Sequence, residues 1–294
     1  VPAVKTRFIV NPRSGHVARV LARVQAAAAE LRAEVVFTER PRHATELAAT
    51  ALADGCALVV AVGGDGTLNE VAGALVGTAA TFGLVPCGSG NGLGRHLGIH
   101  GPVDQALRVL RTGASRLIDS GLADGHAFFT VAGLGFEAEV SDRFNRLARR
   151  GFRRYLATAA ALLRTYRSPL CTIEHDGMHA QLPVFTLAVA NCDQYGNRAR
   201  IAPGAQVDDG RLDLVAIPPV SWANAVPLIA RLFSGTIDRA RNVTHFRGAR
   251  FVVHRPAPGL IHTDGECHFA PARIEFIVRP QSLRVLAPAA TPAR

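Results

Sequence analysis

Ala57-Leu58-Val59-Val60-Ala61-Val62-Gly63-Gly64-Asp65-Gly66-Thr67-Leu68-Asn69-Glu70 is the stretch on which the fold turns. Its first six residues form an uninterrupted apolar run, the pattern of a central strand buried on both faces. Three glycines in the next four positions permit a sharp turn and close approach of the backbone to a ligand. Leu68, Val71 and Leu75 then share one side of a helix. Strand, glycine turn and helix make a parallel α/β unit whose turn offers N–H groups and a helix start to an anion. Asp65 within that nest would repel phosphate unless a metal or a proton transfer uses its charge. A plain strand–helix turn with Asp as N-cap is the other reading.

Outward from this stretch the chain keeps alternating. Residues 8–10, 34–38 and 82–85 read as strands. Residues 16–33, 43–53 and 103–112 read as helices, the first with Val17, Val20, Leu21, Val24, Ala28 and Leu31 on one face. A small polar turn, Asn11-Pro12-Arg13-Ser14-Gly15, closes the first strand, and Pro86-Cys87-Gly88-Ser89-Gly90-Asn91-Gly92-Leu93-Gly94-Arg95 follows the last. Parallel strands ending in such turns bring them to the carboxyl edge of one sheet, where ligands bind. No turn is a Walker A loop or a G-x-G-x-x-G fingerprint. Three of them together favour a nucleotide cleft over three unrelated loops.

From about residue 116 strand-like runs dominate, at 116–122, 127–131, 171–174, 184–190, 211–217, 250–253 and 274–278. Glycine and proline separate many of them, the pattern of an antiparallel sheet or sandwich. A basic helical stretch at 139–167 and a helix around 221–233 interrupt it. The tail at 287–294 is Ala/Pro-rich and reads as frayed.

The 294 residues are 48% hydrophobic and 19% charged, which excludes a disordered chain. A net charge of +10 attracts polyanions: nucleotide phosphates, anionic headgroups or nucleic acid. Aromatics are only 6%, with no basic–aromatic interleaving, so no nucleic-acid partner is expected. Five cysteines without a C-x-x-C pair fit a reduced compartment. The chain enters a strand almost at once and shows no signal-peptide pattern, so a cytoplasmic protein is expected. Residues 214–230 lack charge but contain three prolines and are too short for a span. Any membrane contact is therefore expected to be peripheral.

Taken in order, N-P-x-S-G, G-G-D-G-T-L-N-E and P-C-G-S-G-N resemble the diacylglycerol kinase catalytic-domain family, which includes bacterial soluble lipid kinases and is related to sphingosine kinases. The second half agrees: Ala205-Gln206-Val207-Asp208-Asp209-Gly210-Arg211-Leu212-Asp213 is similar to the family's A-x-x-x-D-G-x-L-D segment, and Asp264-Gly265-Glu266 to its D-G-E motif. The resemblance implies an N-terminal α/β domain with a parallel sheet, NAD kinase/diacylglycerol kinase-like, plus a C-terminal β-sandwich lipid domain, with the cleft between them. It places the nucleotide domain at 1–120 plus a returning strand at about 282–294, and the lipid domain at 121–281.

By the same resemblance, ATP contacts fall on Asn11, Pro12, Arg13, Ser14, Gly15, Thr38, Gly63, Gly64, Asp65, Gly66, Thr67, Leu68, Asn69, Glu70 and Ser89. Glu266 takes the proton of the lipid hydroxyl, supported by Asp264, and Asp65 helps organise the catalytic Mg2+ through water. A structural Mg2+ sits on Asp209 with the carbonyls of Gln206 and Arg211. The reaction implied is transfer of the γ-phosphoryl group of ATP to a diacylglycerol-like or sphingoid lipid. Taken alone, Asp264-Gly265 reads equally as a hairpin turn, and Asp208-Asp209-Gly210 as punctuation.

One departure stands out: Gly92 occupies a position where many members carry Asp, which bears on metal use. An NAD kinase-like enzyme shares G-G-D-G-T, and a catalytically impaired nucleotide or anionic-lipid binder is the other alternative. The resemblance leaves a homodimer open, with no interface legible in the residues. Arg143, Arg146, Arg149, Arg150, Arg153, Arg154, Arg164 and Arg167, interspersed with Phe144, Leu147, Phe152, Leu156, Leu162 and Leu163, read either as a solvated helix face or as a surface for anionic lipid. His96 and His100 stand four apart without a third ligand, so no metal site is assigned to them. Cys87 has no base partner and reads as a structural thiol.

Overall fold

The computed structural model describes residues 4–145, 152–196 and 198–289. Arg146, Leu147, Arg149, Arg150 and the last five residues, about which the sequence raised expectations, lie outside them. The chain forms two compact units: Val1–Ser120 with Gly196–Arg198 and Pro280–Arg294, and Gly121–Tyr195 with Ala199–Arg279.

In the first unit the elements run β1 (Thr6–Val10), α1 (Val17–Glu30), β2 (Glu34–Phe37), α2 (His43–Ala53), β3 (Leu58–Gly63), α3 (Asp65–Leu75), β4 (Thr81–Pro86), α4 (Gly92–His96), α5 (Val103–Thr112) and β5 (Ala114–Ala123), whose last residues enter the second unit. The sheet order is β2-β1-β3-β4, all parallel. All six residues of β3 are buried, as its unbroken apolar run requires of a central strand. Val17, Val20, Val24, Ala27 and Ala28 of α1 are buried as a 3.6-residue stripe. The helix expected from Leu68 begins three residues earlier, because Gly64 is extended and already serves as its N-cap.

The second unit holds β6 (His126–Phe128), β7 (Val131–Gly135), α6 (Phe136–Asn145), α7 (Phe152–Leu163), β8 (Leu170–His175), β9 (Met178–Pro183), β10 (Thr186–Ala190), β11 (Gln194–Gly196), β12 (Ala199–Arg200), β13 (Leu212–Ile217), α8 (Trp222–Ser234), β14 (Thr244–Gly248), β15 (Arg250–His254), β16 (Gly259–Thr263), β17 (Glu266–Ala270) and β18 (Arg273–Ala287). One layer runs β14-β13-β10-β7-β16-β17, and the other includes β18-β15-β8-β9. Phe251, Phe276, Ile173, Leu187, Val189, Leu214 and Ile261 fill the space between the layers. The far end of β18 belongs to the first unit, where Arg284 and Val285 pair in parallel with β4.

The strand expected at 127–131 is two strands, broken at Phe129 and Thr130. Their N–H groups turn to the carboxylate of Asp264 instead of a sheet partner. Strands β9, β14, β16 and β17 escape the sequence reading because their residues alternate with polar and aromatic ones that resemble loop composition.

Candidate active site

Strand order reverses between β1 and β3: from β1 the chain goes outward to β2, then returns to β3 on the other side. The crevice at such a switch point, beyond the carboxyl ends of the strands, is the standard ligand position of an open α/β sheet. The turns after β1, β3 and β4 meet there. Asn11 N–H donates to the carbonyl of Val62 at 3.0 Å, and Cys87 N–H to that of Gly63 at 2.6 Å. Gly64 N–H donates to Ser14 Oγ at 2.7 Å, and Asn11 Nδ2 to Thr67 Oγ1 at 3.0 Å. Thr38 N–H bonds to the Val10 carbonyl at 2.9 Å, bringing the end of β2 to the same edge. Two glycines are demanded by this crowding. A Cβ on Gly15, whose φ is +50°, would lie 1.8 Å from the Cys87 carbonyl oxygen, and one on Gly88 would lie 2.8 Å from Gly64 Cα.

Helix α3 begins at this edge with no side-chain cap. Its first-turn N–H groups, which no intrahelical carbonyl can reach, remain directed at an incoming anion. Asp65 is not simply aimed at the nest. Its two oxygens accept N–H bonds from Asn91 at 2.9 Å and Gly92 at 2.8 Å, so the carboxylate clasps the third turn. Asn91 completes the clasp by accepting from Gly88 N–H at 3.0 Å and donating to the Gly88 carbonyl at 2.9 Å. Gly92 thus has a part here: its amide is a ligand of the aspartate. Each Asp65 oxygen keeps a further lone pair and the residue is half-exposed. It therefore fits the expected task of accepting a hydrogen bond from metal-bound water.

Other expected contacts divide. Ser89 and Gly66 are exposed at this edge, and Asn69 is half-exposed. Pro12 and Arg13 are exposed on the first turn, with Arg13 N–H held by Asn11 Oδ1 at 3.1 Å. Leu68 is 1% exposed in the core and its N–H donates to the Gly64 carbonyl, so its side chain is turned away from this edge. Glu70 Oε2 accepts the N–H of Ala44 at 3.0 Å and so anchors the start of α2. Cys87 is fully buried, and burial pushes its thiol up to about 11, as a structural thiol requires. Helix α4 ends at His96, so His96 and His100 do not share a helical face.

In the second unit, Thr263 pairs with Glu266 across a two-residue hairpin. Asp264 and Gly265, with φ of 51° and 86°, form its turn, the left-handed pair that Asp-Gly favours. The hairpin reading and the motif reading thus coexist in one tripeptide. Asp264 Oδ2 accepts Phe129 N–H at 2.7 Å; Oδ1 accepts Thr130 N–H at 2.8 Å, Val131 N–H at 3.0 Å and the Thr130 hydroxyl. Burial pushes this carboxyl above its ordinary value, and the four donors pull against that. Asp264 is therefore a pin that fixes the turn, and Glu266, exposed on the first position of β17, is what the turn presents. Asp264→Ala and Asp264→Asn should each cost roughly 3 kcal/mol in urea unfolding. Asn fares no better because its amide NH2 would face a donor.

A polar cluster that escaped the sequence reading lies behind this hairpin. Glu137, in the first turn of α6, accepts from Tyr195 Oη and contacts His262 Nε2 at 2.7 Å. His262 is 4% exposed and its Nδ1 has no partner. A Cβ on Gly133 would lie 2.6 Å from Glu137 Oε1, so that glycine makes room for the carboxylate. The only sequence signal was an acid after the glycine-spaced run Val131-Ala132-Gly133-Leu134-Gly135.

Residues 5–123 match the diacylglycerol kinase catalytic domain, and residues 130–287 match the YegS C-terminal NAD kinase beta sandwich-like domain. A diacylglycerol kinase of Mycobacterium tuberculosis is 32% identical over 97% of this chain and 95% of its own. The chain belongs to the diacylglycerol kinase catalytic-domain family. A diacylglycerol kinase of Bacillus subtilis is 28% identical, covering 89% of both chains. The crystal structure of a diacylglycerol kinase from Bacillus anthracis superposes with a TM-score of 0.73 over 98% of both chains; at 17% identity it speaks for the fold alone.

The structural Mg2+ expected on Gln206, Asp209 and Arg211 would have a competitor in Arg247. Asp209 Oδ1 accepts Arg211 N–H at 3.0 Å, and Oδ2 is paired with the Arg247 guanidinium. Arg247 Nε also lies 3.8 Å from Asp213. Burial pushes Asp213 up, with Arg247 opposing and Asp209 adding to the rise. Asp209 Oδ1 keeps a lone pair beside the Arg211 N–H, whereas Oδ2 faces the Arg247 guanidinium, so an ion held by Gln206, Asp209 and Arg211 would have to compete with Arg247. With no nucleotide present, Mg2+ should raise the melting temperature less in the parent than in Arg247→Ala, since the guanidinium competes with the ion for Asp209.

Proposed function

We propose that the protein transfers the γ-phosphoryl group of ATP to the hydroxyl of a diacylglycerol-like or sphingoid lipid. The observation that carries this reading is the meeting of three turns at the β1/β3 switch point, around an uncapped helix start and the clasped Asp65. Such an edge suits a polyphosphate: backbone N–H groups neutralise charge without reorganising during the reaction. Mg2+, when bound with ATP, supplies the remaining neutralisation.

On this reading Asn11, Ser14, Gly15, Gly64, Gly66, Thr67 and Ser89 frame the phosphates, and Thr38 lies beside the nucleoside end. Glu266 takes the hydroxyl proton. The new O–P bond forms as the bond from Pγ to the β–γ bridging oxygen breaks, and ADP leaves. Glu266 is suited to the part because its carboxylate is exposed and no protein group occupies it among the described residues. Asp264 serves by holding the turn. No helix among the described residues is long and apolar enough to cross a membrane, so the lipid would be reached from the bilayer surface.

Label transfer from γ-labelled ATP with Mg2+ tests the reading. Diacylglycerol, monoacylglycerol, sphingosine, ceramide and phosphatidylglycerol would be offered in mixed micelles, with NAD in a parallel aqueous tube. A labelled lipid is expected. Label in NAD alone would favour an NAD kinase-like enzyme, and ATP binding without any labelled product would favour an inactive binder.

A further inference from the structure

We propose that α8 is the element that docks this protein on membranes, inserting an outward apolar stripe into the headgroup region of an anionic bilayer. The proposal rests on the lipid-kinase reading for its purpose. Its geometry stands independently.

The uncharged stretch at 214–230 drew notice in the sequence, and catalysis leaves it unused. Most of it builds β13 and α8. At 13 residues, α8 is about 20 Å long and cannot cross a hydrocarbon core of about 30 Å. Its inner side is already satisfied. Leu228 is buried and Leu232 packs beside it, against Ala188, Ala190, Val215 and Ile237 on the outer face of the β10–β13 sheet. The outer side is apolar as well: Val226 is 71% exposed, Ile229 50% and Phe233 48%. Spaced i, i+3 and i+7, these three form one stripe along the helix. About half of Ile229 and Phe233 and most of Val226 gain nothing from folding, and together they leave one side of the helix apolar to solvent.

The charge around the stripe identifies its partner. Helix α8 contains no acidic residue; its Arg231 lies on the side away from the stripe, where it donates to the Thr236 carbonyl. The segments packed against it, β12 and the turn at Ile237–Arg239, expose Arg200 and Arg239, and Arg241 follows. Asp193, 3.5 Å from Arg200, and Asp238 are the nearby acids. Exposed apolar side chains with arginines on the neighbouring segments suit a surface with hydrocarbon beneath phosphate. A second copy of the chain suits it less, since pairing would bring two arginine rims together. Three side chains also fall well short of the ~800 Å² per partner of a stable interface.

The experiment is co-sedimentation with phosphatidylglycerol/phosphatidylcholine vesicles, without ATP. The full chain is expected to partition onto mixed vesicles and weakly onto pure phosphatidylcholine. Ile229→Glu with Phe233→Glu should weaken partitioning at least ~30-fold while the chain stays folded in a thermal melt, because about half of each side chain already faces solvent. Arg200→Gln with Arg239→Gln should remove much of the salt sensitivity while leaving the apolar part. Turnover of a water-soluble short-chain diacylglycerol should persist in the glutamate variant, while turnover of vesicle-borne diacylglycerol falls in step with partitioning. Undiminished partitioning of the glutamate variant overturns the proposal. So does a glutamate-induced change from dimer to monomer in light scattering with vesicle binding intact, which would assign the stripe to a second copy. Since sedimentation needs no turnover, correct partitioning with no labelled lipid sinks the kinase reading and leaves docking standing.

Discussion

Glu266→Gln is expected to lower kcat for lipid phosphorylation by at least ~10²-fold while leaving the melting temperature essentially where it was. The two halves of that expectation come from the same fact. Glu266 opens β17 with its side chain exposed and, among the described residues, holds nothing in place, and surface substitutions away from special features usually stay within about 0.5 kcal/mol. Its backbone register against Thr263 is kept by glutamine. What glutamine lacks is a basic oxygen to receive the hydroxyl proton as the O–P bond forms. ATP affinity should be unaltered, because the proton acceptor makes no contact with the nucleotide on this reading. The measurement is steady-state label transfer beside a thermal melt and ATP binding. Turnover within a few-fold of the parent would remove Glu266 as the base.

Asp65→Asn is expected to fail differently, losing both stability and turnover. In the parent both terminal atoms accept N–H bonds, from Asn91 and Gly92. The asparagine NH2 must face one of those donors, which should cost about 1–2 kcal/mol. The loosened turn at 88–92 then degrades the phosphate edge, and KM for ATP should rise. Loss of the carboxylate charge should lower kcat a further ~10²-fold if it also orders water on the ATP-bound Mg2+. The Mg2+ concentration giving half-maximal rate separates these parts. If it is unchanged in Asp65→Asn, the residue is a clasp alone; if it rises, the carboxylate serves the metal as well. A variant with parental kinetics would exclude both.

The contrast between these residues shows how far the sequence could be read. The α/β order of the first 120 residues was legible because each signal is local: an unbroken apolar run for β3, a 3.6-residue stripe for α1, glycine where two turns crowd to within a few ångströms. The tripeptide Asp264-Gly265-Glu266 was legible as a motif and as a turn, without a way to choose. The structure joins the readings, because the aspartate that makes the turn is pinned by residues 129–131. That contact spans more than 130 residues, and no periodicity records it.

The same limit explains the rest. The sequence by itself determined the sheet order's raw material, the family and the residue types that meet phosphate, since backbone conformation and burial patterns are written in near neighbours. Only the tertiary structure decided what Asp65 holds, that Leu68 belongs to the core, that Arg247 neutralises Asp209, that Glu137 and His262 are partners, and which side of α8 is left uncovered. Each of these depends on which distant group supplies the opposite charge, donor or apolar surface. A carboxylate's role is set by its partner, and partners are chosen by folding.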